Sequence, residues 1–161
     1  MTDYRSDAAL VAADRSNLEI ARRPGRGLRF ALAGLAIFNL LSALAGMAGL
    51  TIGGGMGIPV EYLAGSPFHS YFWPGIILGL IVGGVQVVAL LAQRRRSLYA
   101  WPLHAAAGLV MMIFIFVELA ILLNWSPLHG IYFVAGLIQV VLAVVALHAL
   151  LQSAKSVGSR R

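Results

Sequence analysis

The 161-residue chain contains no cysteine. That absence excludes disulfides, thiolate metal sites, iron–sulfur clusters, a thiol nucleophile and dithiol redox chemistry. Charge is also scarce. Asp, Glu, Lys and Arg make up 11% of the residues, against about 25% in soluble domains. With 60% hydrophobic residues and a mean hydropathy of +0.85, the composition lies outside the soluble globular class. Catalytic signatures are missing too. There is no HExxH zinc pattern and no nucleophile elbow. Gly53-Gly54-Gly55 is not a phosphate loop, because no Lys-Ser/Thr follows it and no strand precedes it. The sequence therefore assigns no catalytic residue and no metal site. The formal charge of +6 does not call for nucleic acid. The basic residues flank apolar runs, where a position beside a membrane accounts for them.

What the chain does have is four apolar runs, over 28–53, 72–93, 101–124 and 131–152. Each has at least the ~20 residues needed to cross the hydrocarbon core of a bilayer. Of the twelve Lys and Arg residues, six lie at or before Arg29, three are Arg94, Arg95 and Arg96, and three follow the fourth run. None lies in the other two connections. An even number of spans with both termini in the cytosol puts all twelve on one side, as the positive-inside rule expects. Short connections favour neighbouring, oppositely directed helices. The expected fold is thus an all-α integral membrane protein, an antiparallel up-down bundle of four transmembrane helices with both termini cytosolic.

Domain limits follow. Residues 1–27 read as a flexible cytosolic tail, with a weakly amphipathic helix over 7–22 ended by Pro24-Gly25. Residues 28–152 form the transmembrane domain, and 153–161 a basic cytosolic tail. Ser42-Ala43-Leu44-Ala45 resembles a signal-peptidase site. Cleavage is not expected, because the preceding tail is long for a signal and the apolar run continues past the cut.

Hydrophobicity gives helices little reason to associate in lipid, so close backbone approach matters more. Gly75, Gly79 and Gly83 repeat at intervals of four and form a doubled GxxxG ridge, widened by Gly84. They are the expected packing residues and make the second helix central. Pro74 falls in its first turn, where a missing N–H does no harm.

The third run carries the one carboxylate inside an apolar stretch, Glu118. A charged side chain at mid-membrane costs about 2.5–3.5 kcal/mol on insertion scales. Glu118 is therefore expected to be neutral and to donate a hydrogen bond. It shares a helix face with His104, Gly108, Met111, Ile115 and Leu122, the face expected to turn inward. At a rise of ~1.5 Å per residue it lies about 10 Å from the outer end of its helix. Its candidate partners are Tyr132 and Gln139 on the fourth helix. Asn39, Gln86 and Gln139 complete the intramembrane polar set. A polar track for protons or a small ligand is one use for them. Interhelical hydrogen bonding is the favoured one.

Four histidines fall at two depths, His104 and His148 toward the cytosol, His69 and His129 toward the outside. Two such pairs in a four-helix bundle are what two bis-histidine haems would need. The simpler alternative makes His69 and His129 interfacial loop residues, with Ser126–Gly130 as a tight turn and His148 near a helix end.

Several short motifs carry a resemblance. Ser66-Pro67-Phe68-His69-Ser70-Tyr71-Phe72-Trp73-Pro74-Gly75, then Gly83-Gly84, Val117-Glu118 and Ile131-Tyr132-Phe133-Val134-Ala135-Gly136-Leu137 resemble a group of small four-span bacterial membrane proteins. That group is loosely similar to DoxX-like proteins. The resemblance covers about residues 28–150, and Phe114 stands where the group often has Trp. It implies a bacterial inner (plasma) membrane location and no established reaction. Its DoxX side points, by analogy of fold, to quinone-associated or redox-accessory roles.

The expected function is non-enzymatic: a membrane bundle without a cofactor, in the lipid bilayer, that binds a membrane-protein partner or forms a homo-oligomer. One alternative is a redox subunit binding quinone or haem through His104 and His148, with Glu118 as a proton group. Another is a small proton-coupled carrier.

Overall fold

The computed structural model describes residues 25–158, with side chains as far as residue 152. The helix read over 7–22 and most of the N-terminal tail lie outside the described residues. Four long helices follow: α1 (Arg26–Thr51), α2 (Phe72–Arg94), α3 (Ala100–Leu122) and α4 (Pro127–Gly158). No strand occurs among the described residues. All four helices contain a window long and apolar enough to cross a membrane. The chain thus has the make-up of a multi-pass membrane protein.

The helix ends show why the boundaries fall where they do. Beyond α1, Gly54 and Gly55 take φ of +60° and +90°, a region that ends a helix and favours glycine. Gly55 is needed twice over, since a Cβ there would lie 2.6 Å from the Tyr71 ring. α3 stops at Leu122 because Leu123 is left-handed, with φ 48°. α4 starts at Pro127, four residues before the start read from the sequence. Proline suits the first position of a helix, where its missing N–H is not needed. Ser126, which reads as part of a turn, is in fact the lead-in to that helix.

The surface is inverted relative to a soluble protein. Leu41, Leu80, Ile113, Phe116 and Val134 are exposed, while Ala36, Ala43, Ala89, Ala107, Ala143 and Ala146 are buried. So many large apolar side chains facing outward need an apolar solvent. Small residues inside let the backbones close on one another. The two most extensive interfaces are those of α1 with α2 and of α3 with α4; α1 also packs on α4, and α2 on α3.

The glycine ridge is used inside the bundle. Cβ atoms on Gly75 would lie 2.9 Å from Leu50 Cβ and 3.0 Å from Thr51 Cγ2, and one on Gly79 would run into Met47. Gly83 is looser, with Leu40 Cδ1 at 3.5 Å. The ridge thus faces α1. Between Leu78 and Gly83 the helix widens into a π turn, a feature the sequence reading did not contain. Past it, the buried residues of α2 are Gln86 and Ala89.

Apolar clusters follow one another along the bundle. Leu32, Trp101, Ala143 and Ala146 form one, Ala43, Val82, Met111 and Ile115 the next, and Leu50, Leu63 and Tyr71 the last.

The closest approach of one helix backbone to another at a glycine gives a direct test. A Cβ on Gly108 would sit 2.6 Å from the Gly136 carbonyl oxygen, a backbone atom that cannot swing aside. Gly108→Ala is expected to destabilise the protein by about 1–3 kcal/mol, the usual range for overpacking. Gly34→Ala, which meets nothing within 4 Å, should be silent. Thermal unfolding in mild detergent compares them. Equal melting of Gly108→Ala and wild type would show that α3 and α4 are not this close.

Candidate functional site

Two sets of polar residues sit inside the bundle, and they differ in how completely they are satisfied. The first lies between the Leu32 and Ala43 clusters. Asn39, Gln86, His104 and Gln139 are each fully buried, one from each helix. Gln139 spends its whole hydrogen-bonding capacity here. Its Nε2 donates to Gln86 Oε1 (2.8 Å) and to His104 Nδ1 (3.3 Å). Its Oε1 accepts from Asn39 Nδ2 (2.8 Å) and Gln86 Nε2 (3.3 Å). Gln86 Nε2 also reaches the Ala107 carbonyl at 3.4 Å.

The network then continues to Gln93, which the sequence reading missed. His104 Nε2 meets Gln93 Oε1 at 2.6 Å, and Gln93 Nε2 donates to the Arg29 carbonyl at 2.8 Å. Since Nδ1 accepts from Gln139, the His104 proton is assigned to Nε2. Trp101 stacks against the same ring. A signal for Gln93 was available: it lies seven residues after Gln86, on the same helix face. Among the described residues, Asn39 Oδ1 is the only buried side-chain polar atom without a partner.

This set binds helices, and Asn39 Oδ1 is its one group left over. His104 has both ring nitrogens engaged, so ligating a haem iron would break one of those bonds. His148 is exposed and meets Gln152 instead. His69 is exposed in the first connection, while His129 is buried on α4. The structure brings neither histidine pair to a shared partner.

The second set lies at the far end, around Glu118. The sequence reading offered Tyr132 and Gln139 as its partners. The structure gives it His129, with Nε2 3.7 Å from Glu118 Oε2. Tyr132 lies against Phe38 instead, the rings tilted with centres 6.0 Å apart. The reason is the earlier start of α4, which puts His129 on its first turn rather than in a loop. His129 Nδ1 accepts from the Ser126 N–H at 3.0 Å, so the proton of the neutral ring faces Glu118.

Glu118 also lines a cavity of about 110 Å³. Leu50 of α1, Leu63 and Phe68 of the first connection, Ile77 of α2, and Phe114 and Ile121 of α3 form much of its wall. The connection is held over it by a 3₁₀ turn, Val60–Leu63, and by Tyr71, whose hydroxyl donates to the Pro59 carbonyl at 2.9 Å. Burial, and then the carboxylate of Glu61, push the Tyr71 phenol up, so it stays a donor at neutral pH.

No protein-family model matches the chain, and neither a curated protein nor a solved structure does. The DoxX-like resemblance therefore rests on its short motifs alone.

The saturated set predicts a stability effect. Gln139→Leu keeps the volume but strands Asn39, Gln86 and His104. It should cost roughly 1–3 kcal/mol, the penalty for leaving buried polar groups unpaired. Gln152→Leu, on the exposed side of α4, should cost little. Reversible unfolding in mixed micelles measures both, and equal stabilities would mean that the amides do not hold the helices.

Proposed function

We propose that the chain is a non-enzymatic, multi-pass protein of a bacterial inner membrane that works by binding a membrane partner at its Glu118 end. Its helices run alternately up and down, with both termini in the cytosol. The distribution of Lys and Arg supports that orientation. So do the cross-helix contacts, in which residues late in α1 meet residues early in α2 and residues early in α3 meet the second half of α4.

One observation carries the binding reading. Every buried amide and imidazole in the first set is tied to another helix, whereas Glu118 has only a distant histidine and an apolar cavity beside it. An intramembrane carboxyl is expensive to keep, so its retention at an open site is a functional signature. The glycine ridge does not serve an outside partner, because α1 covers it. The saturated amides also suit cohesion better than a proton track, since neutral carboxamides carry no titratable proton.

The absence of native cysteine makes the tests simple. Ser70→Cys should react with a membrane-impermeant maleimide only from the periplasmic face, and Arg95→Cys only from the cytosolic face. The opposite pattern would invert the topology. A benzophenone maleimide placed on Val117→Cys, next to Glu118, should give a discrete photo-adduct in native membranes. The same probe on Val88→Cys, exposed on α2, should not. Identical patterns from the two positions would remove the Glu118 end as the binding site.

A further inference from the structure

The cavity and Glu118 make different demands on whatever occupies this end. The walls are aliphatic side chains and aromatic rings, which any apolar chain would satisfy. Glu118 would not be satisfied in that way. Its side chain is 28% exposed, and its one polar contact among the described residues is His129 Nε2 at 3.7 Å. That distance is beyond a hydrogen bond. His129 cannot turn its other nitrogen to help, because Nδ1 already holds the Ser126 N–H. A carboxyl lining an apolar cavity is thus left with unused acceptor capacity, which a donor on an occupant would fill.

Size narrows the occupant. A cavity of about 110 Å³ is comparable to the roughly 150 Å³ apolar cavity known to take up benzene. That is room for one six-membered ring. Val117, half-exposed beside Glu118, stands at the rim and leaves a way in.

We propose that this cavity binds a small apolar molecule, about one ring in size, that carries a single O–H or N–H donor directed at the Glu118 carboxyl. The proposal rests on the reading of the Glu118 end as the binding end and names the chemistry of its ligand. The rest of the molecule makes contact only with aliphatic and aromatic side chains. The donor separates a ligand from bulk lipid, because an acyl chain fills the volume but leaves Glu118 with His129 alone.

The test uses the full chain in nanodiscs and fluorine NMR of three probes: 4-fluorophenol, 4-fluorobenzylamine and 4-fluorotoluene. Empty nanodiscs give the partitioning background. At least one donor-bearing probe should show saturable binding about tenfold tighter than 4-fluorotoluene, the gain expected for one ordinary hydrogen bond. Preference for the phenol would identify a hydroxyl ligand, and preference for the benzylamine an ammonium ligand paired with the carboxylate. Glu118→Leu should bring all three probes to the same weak affinity while the protein keeps its helical circular dichroism. Val117→Trp, filling the cavity from its rim, should abolish saturable binding altogether.

Equal binding of all three probes, unchanged in Glu118→Leu, would overturn the proposal and make the cavity a seat for an apolar chain. Absence of saturable binding beyond empty nanodiscs would overturn it as well. Neither result touches the Val117 photo-adduct, which tests the binding end independently.

Discussion

The carboxamide of Gln139 on α4 touches a side chain on each of the other three helices: Asn39 on α1, Gln86 on α2 and His104 on α3. Hydrocarbon offers no hydrogen bonds, so each of these polar groups must find its partner on a neighbouring helix or remain unpaired at a cost of several kcal/mol. In the observed register the four helices satisfy all of them but Asn39 Oδ1. Sliding α1 or α3 by one turn would separate Asn39 or His104 from Gln139. Small residues allow the approach, and Gly108 against Gly136 brings α3 and α4 closest. The amides choose among the close arrangements that the glycines permit. Individually such bonds average only ~0.6 kcal/mol in membranes, so their value lies in specifying one arrangement.

The two ends of the bundle are built on different terms. Toward Arg29 the interior is closed, with an apolar cluster and a polar chain that ends on a backbone carbonyl held by Gln93. Toward Leu122 it is apolar and hollow, roofed by the connection that Tyr71 and Leu63 pin down. Rigidity at the first end gives the second a fixed frame. A carboxyl can then be positioned by α3 without being spent on holding α3 in place.

Much of this was legible in the sequence. Four runs of sufficient length, the glycines of the second run and the isolated amides each follow from one physical rule about lipid. The assignment of Asn39, Gln86 and Gln139 to interhelical bonding matches the contacts they make. The Glu118 end was harder to read. His129 looked like part of a loop because Ser-Pro and His-Gly together resemble a turn, yet proline opens a helix as readily as it interrupts one. That single ambiguity hid the neighbour of Glu118. Gln93 was hidden by the three arginines after it, which draw the eye to the helix end. The cavity depends on how a glycine-rich connection folds back over three helix tips, and no local pattern encodes that.

The π turn at Leu78–Gly83 has a consequence for how the length of α2 can vary. Before it and at its start, the helix offers Gly75 and Gly79 to α1. After it, Gln86 reaches α3 and α4. The wide turn holds one residue more than an α turn would, and that residue sets the angle between the two faces. Rewinding the segment into a plain helix without removing a residue would rotate one half against the other by roughly 100°. Either the glycines would leave α1 or Gln86 would leave its partners. Loss of one residue together with the wide turn would leave both faces where they are, so relatives of this chain that are one residue shorter between Gly79 and Gln86 are expected to have a plain helix there.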